Sequence, residues 1–132
     1  MVEDVRHLIL RGEFLKAHQY VHTFDHQTLE QLLIKIGTEN ESFCAYTFIY
    51  SLLLKQETVE LHRLAVHILT QIFPTVAGSF VSALHHARRQ VELAPDNKDF
   101  LKNLLLFNEI PEKLISDQEA EEIRIRIKDV PL

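Results

Sequence analysis

Apolar side chains recur every three to four residues along nearly the whole chain, in short packets, the period of amphipathic helices. Val5, Leu8 and Ile9 form the first packet, over Val2 to Arg11, and Gly12 breaks it. Phe14, Ala17, Tyr20, Val21 and Phe24 share one side of the second, over Glu13 to Thr23. Asp25 then stands as an N-cap, Leu29, Leu32, Leu33 and Ile36 make one stripe, and Gly37 is placed as the stop. Thr38-Glu-Asn-Glu41 has the spacing of a capping box. The helix it opens, Phe43 to Leu54, is apolar nearly all round and is therefore expected at the centre.

Thr58 starts the next helix, with Leu61, Leu64, Ala65, Ile68, Leu69 and Ile72 inward. Pro74 suits the first turn of a helix running to about Leu93, with Phe80, Leu84, Ala87 and Val91 inward. Asp96 or Asn97 caps a helix carrying Phe100, Leu101, Leu104, Leu105 and Phe107, which Pro111 ends. Ser116-Asp-Gln-Glu119 is a second capping box, opening a final helix with Ala120, Ile123 and Ile127 inward. Ile123-Arg-Ile-Arg-Ile127 also alternates as a strand would, but a lone strand would leave its backbone groups unpaired. The expected fold is all-α: one domain over 1–132, a compact right-handed array of about eight short antiparallel helices.

A chain of 132 residues with 46% hydrophobic and 25% charged side chains can bury a core unaided and is not expected to be disordered. Three glycines and four prolines are too few for the many turns of a sandwich or barrel. Cys44 is the single cysteine, so no internal disulfide forms, and its apolar setting predicts a buried, inert thiol. Met1-Val-Glu-Asp4 lacks the basic start and apolar core of a secretory signal, and the cytoplasm is the expected location. No apolar run approaches the ~20 residues a membrane crossing needs. The formal net charge of −5 argues against general nucleic-acid binding and suits a basic partner.

Candidate chemistry is sparse. His18, His22 and His26 are spaced by four, and a His pair at that spacing can chelate zinc, although Asp25 is expected to cap a new helix and take His26 off the face. The alternative is a histidine pair in solvent or at the core edge. His85, His86, Arg88 and Arg89 crowd the outer side of one helix, as a positive patch for a carboxylate or phosphate, or as partners for Glu92 or Asp96. Glu119, Glu121 and Glu122 read as a solvated face. No Gly-x-Ser-x-Gly elbow, phosphate-cradling glycine loop or His-Glu-x-x-His occurs, so no catalytic residue and no cofactor are assigned.

Gly12-Glu-Phe14-Leu-Lys-Ala17 and Gly78-Ser-Phe80-Val-Ser-Ala83 share the pattern Gly-x-Phe-x-x-Ala, separated by about twice the ~34-residue period of tetratricopeptide repeats. With Glu92, Leu93, Pro95 and Asn97, the stretch Gly78 to Asn97 resembles the second helix and exit turn of such a repeat. It departs from the pattern at Gln90, where a small residue is usual, and no repeat occupies the middle. The resemblance implies a degenerate tetratricopeptide- or HEAT-like stack. Phe107-Asn-Glu-Ile-Pro-Glu-Lys-Leu-Ile-Ser-Asp117 resembles the ends of small bacterial immunity proteins, which implies masking of a cognate, basic toxin domain.

The resulting expectation is a protein-binding helical module that is not an enzyme. His85, His86, Arg88, Arg89 and Tyr20 are the candidate contact residues. Tyr46 and Tyr50 are expected in the core and would be anchors if exposed. A metal-binding protein or enzyme using His18 and His22, and a structural homodimer subunit, are the rival readings.

Overall fold

Asp25, Thr58, Asn97 and Ser116 each accept a hydrogen bond from the backbone N–H three residues on, at Thr28, Leu61, Phe100 and Glu119. Each bond satisfies one of the donors that a helix start leaves unpaired. A computed structural model describes residues 1–131. Their helices are α1 (Val2–Leu10), α2 (Phe14–Val21), α3 (His26–Thr38), α4 (Cys44–Lys55), α5 (Val59–His67), α6 (Ser79–Leu93), α7 (Lys98–Glu109) and α8 (Asp117–Asp129). A π-helical turn, Ile68–Ile72, continues α5. No strand occurs among the described residues, and Ile123 to Ile127 are helical. Among the described residues no helix is long and apolar enough to cross a membrane.

Three local expectations fail. Gly37 does not stop α3; it lies buried within its last turn, and a Cβ there would stand 2.7 Å from Ile72 Cγ2. The missing side chain is what lets the π turn approach α3. Thr38 is no cap either: its hydroxyl donates back to the Ile34 carbonyl, and Ser42 Oγ instead accepts from the Cys44 N–H. Pro74 does not open a helix. The chain leaves the π turn through Pro74 to Ala77, and Gly78, at φ +84°, turns it into α6. Gly12 makes the same left-handed entry to α2, at φ +76°. A Cβ at either glycine would meet nothing within 4 Å, so both serve a turn and not a close helix crossing.

The buried side chains fall into two clusters. One gathers Val5, Ile9, Ala17, Leu33, Ile36, Phe48 and Ile49 with neighbours from α1 to α5. The other gathers Ala83, Ala87, Leu101, Leu104, Ile115 and Ile123 from α6 to α8, and Leu69 of the π turn joins it. Tyr46 packs against both. The most extensive helix contact joins α5 to α6, so these two helices form the seam between the clusters.

The apolar helix α4 is covered on most sides, with one stripe left open. Ala45, Phe48 and Ile49 are buried, but Phe43, Tyr50 and Leu54 are 41%, 46% and 74% exposed. Helices α1, α2, α3 and α5 and the π turn all pack on α4 and leave only this stripe open. Tyr50 is therefore not a core residue, and Cys44 is only half-buried.

Candidate functional site

At the α5–α6 seam five side chains join in one line. Tyr46 Oη on α4 lies 2.8 Å from His86 Nε2 on α6. His86 Nδ1 lies 2.8 Å from His62 Nδ1 on α5. His62 Nε2 lies 2.6 Å from Glu57 Oε2, and Arg89 on α6 donates to both oxygens of Glu57, at 2.8 and 2.6 Å. Thr58 caps α5, which sets Glu57 just before the helix N-terminus, where negative charge is favoured. His62 and His86 are 3% and 1% exposed. Beside them Gln90 Nε2 donates to the Val59 carbonyl, tying α6 to the first turn of α5.

Burial, with the neighbouring His62 and His85, pushes His86 down to about 4. The hydrogen bonds from Arg89 and then His62 hold the Glu57 carboxyl down to about 2. No buried side-chain polar atom among the described residues lacks a partner, so the line is fully satisfied.

Next to this seam a trough of about 560 Å³ opens between α5 with its π turn and α7, floored by α6. Its lining is largely apolar: Val66, Phe80, Ala87, Phe107 and Ile110. His67 and Gln71 lie along one rim, and Asn103 and Glu109 along the other. Leu106, 54% exposed, stands at the α7 edge. Each wall presents residues at helical spacing, Arg63, Val66, His67 and Thr70 from α5 and its continuation, and Asn103, Leu106, Phe107 and Ile110 from α7. The π turn, a distortion that recurs at functional sites, carries Thr70 and Gln71 into the wall.

The candidate contact residues do not form one patch. His85 is exposed on α6, but His86 points inward, which corrects its placement on the outer side. A step of three residues from Ala83, itself fully buried, carries His86 onto the same inner face. Arg88 is clamped by Glu119 of α8, and Arg89 by Glu57 and Glu92, so neither is a free cation. Glu119 is thereby drawn out of the expected solvated face. Tyr20 is 43% exposed but lies on α2, which packs on α1 and α4, away from the trough.

Of the alternative metal pair, His18 is engaged at the core edge and His22 faces solvent. His18 Nε2 is 2.9 Å from Ser51 Oγ, with its ring against Phe48, and burial and then Lys55 lower its pKa. His22 is exposed at the end of α2, and His26 begins α3. No group of three or more His, Cys, Asp or Glu side chains among the described residues is placed to hold a metal ion.

Sequence reasoning passed over His62, Glu57 and the trough. The signal for His62 was present: it falls beside Leu69 on the helical wheel, at the edge of the apolar stripe. A histidine there needs a buried partner. Nothing in α5 alone names His86 as that partner, since the two meet only through the α5–α6 packing. Comparison of the chain with protein-family models, curated proteins and solved structures finds no match.

Proposed function

We propose that this chain is a protein-binding helical module without catalytic function, which acts by covering a segment of a partner, as an immunity or inhibitor protein does. One observation carries the reading: the trough between α5 and α7, with an apolar floor on α6 and polar rims. Its two walls offer residues at helical spacing, which is the template for an amphipathic helix laid into a groove. The occupant is a partner helix with an apolar stripe toward Val66, Ala87 and Phe107. Glu109 has no ion pair among the described residues and favours a basic residue at that edge, in keeping with a basic partner.

The test is a photo-crosslinking side chain at Leu106, with Lys128 on α8 as the control position, in cells that make the protein. A single partner joined at Leu106, and lost when Asn103→Trp fills the trough without loss of helix content, supports the reading. Leu106→Glu is expected to weaken that binding at least tenfold with little effect on folding, because the side chain is already largely in solvent. Unchanged partner binding by both trough variants overturns it. Two copies of this chain joined through Leu106, with a native mass of a dimer, would replace the partner by the chain itself.

A further inference from the structure

The line from Tyr46 to Arg89 fixes where its protons sit. The Glu57 carboxylate only accepts, so His62 Nε2 carries a hydrogen and donates it. A neutral His62 then leaves its Nδ1 as an acceptor, which a hydrogen on His86 Nδ1 meets, so His86 Nε2 accepts from the Tyr46 phenol. A neutral His86 then carries its hydrogen on Nδ1 and donates it to His62 Nδ1, 2.8 Å away. Every donor meets an acceptor, with two neutral rings of opposite tautomer. The facing Nδ1 atoms share one hydrogen. A proton added at His62 Nδ1 would make that ring a cation and face N–H against N–H across the couple, at 3% and 1% exposure.

The geometry points to the His62–His86 couple as an acid-sensitive latch: it holds α5 against α6 while the two rings share one Nδ1 hydrogen, and it releases the seam when a second proton arrives. This inference concerns the seam alone and does not depend on what fills the trough. The titratable and charged groups facing the couple are Tyr46 from α4, Glu57 from the α4–α5 connection, and His85 and Arg89 from α6. Arg88 faces away, toward Glu119, while Arg63 is taken up by Glu30 and Glu60. Glu57 alone among these favours a cation, and Arg89 already neutralises it.

The sign follows from the depressed pKa of His86. The unfolded imidazole takes a proton near 6.5, and the folded one only near 4. The unfolded chain therefore binds more protons in between. The stability held by the neutral pair is whole above 6.5 and is lost as pH falls through 4. Glu57, held down to about 2, stays ionised through that window.

Side-chain ¹⁵N spectra of the full chain across pH, with amide exchange read in parallel, test the latch. Near pH 7 His86 is expected to carry its hydrogen on Nδ1 and His62 on Nε2. The His86 ring changes below pH 5, and at the same pH amide exchange in α5 and α6 rises at least tenfold, ahead of α1 and α3. In His86→Gln that rise is lost or moved by more than one pH unit, although all the carboxylates remain. If this variant does not fold, the wild-type spectra decide by themselves. His86 titrating near 6.5 with unchanged exchange overturns the latch. So does a doubly protonated His62 at pH 7, because the seam would then hold the charge without opening.

Discussion

Where the π turn meets α3, the contact is dry. Gly37 presents no side chain, and Ile72 Cγ2 and the Phe73 ring fill the space its Cβ would enter, at 2.7 and 3.5 Å. Where α5 meets α6, the contact holds two imidazoles, a phenol, an amide and a carboxylate, each with its hydrogen bond made. Both seams position the same stretch of chain, from Val59 to Phe73, but they fail in different ways. The dry seam tolerates no added atom, because close-packed neighbours cannot yield space. The polar seam tolerates no missing partner, because a buried donor or acceptor left alone keeps its full desolvation penalty.

The largest effect is expected from breaking the polar seam on one side. His62→Ala empties a buried site and strands His86 Nδ1, and should cost about 3–5 kcal/mol in urea unfolding. Replacing both rings, His62→Leu with His86→Leu, removes the donor and the acceptor together. Tyr46 and Glu57 both keep access to water, so their freed groups can be solvated. The double variant is expected to recover at least about 1 kcal/mol relative to His62→Ala. A double variant less stable than the single one would mean that the pair is held by shape and not by its hydrogen bonds.

The dry seam predicts a smaller loss, with a specific rescue. Gly37→Ala gains helix propensity of about 1 kcal/mol but forces its methyl into Ile72, for a net cost of about 1–2 kcal/mol. Ile72→Ala removes the obstructing Cγ2. In a double-mutant cycle the pair should cost less than the sum of the singles by about 1 kcal/mol. Strict additivity would show that α3 and the π turn part freely, and that the close approach is incidental.

The two seams also differ in how far the sequence announces them. The helical stripes are legible wherever the inner face is purely apolar, as at Leu29, Leu32, Leu33 and Ile36, all of them buried. Four caps are legible because a cap is a local bond between residues three apart. Gly37 misleads because a glycine near a helix end satisfies the local rule for a stop, while its actual reason lies across the fold in Ile72. The apolar helix α4 is legible except for one stripe. Its composition demands cover on several sides, and four helices with the π turn supply it, but Tyr50 and Leu54 stay open. In the candidate contact patch, Arg88 and Arg89 mark a charged flank of α6, and they mask in sequence that His86 shares the inner face with Ala83. The trough belongs to three helices at once and leaves no mark within any one of them.

The finest distinction between the seams is electrostatic, and Glu57→Gln isolates it. Glutamine keeps an oxygen that can accept the His62 Nε2 hydrogen, so the line of bonds survives while its one negative charge is removed. Arg89 loses an ion partner at Glu57 but retains Glu92, so α6 keeps a charged contact on that flank. The Glu57 charge is the one influence that raises the His86 pKa. Its loss must therefore move the acid opening of α5 from α6 to lower pH, making the seam more resistant to acid. Carboxylate titration alone would give the reverse intuition, that deleting an ion pair weakens the structure at every pH. The dry seam holds no charge, and amide exchange in α3 should follow the same pH profile in both proteins. A downward shift of the α5–α6 opening with α3 unchanged locates the proton at the imidazoles. An upward shift would place the controlling titration on Glu57 and leave the two histidines as bystanders.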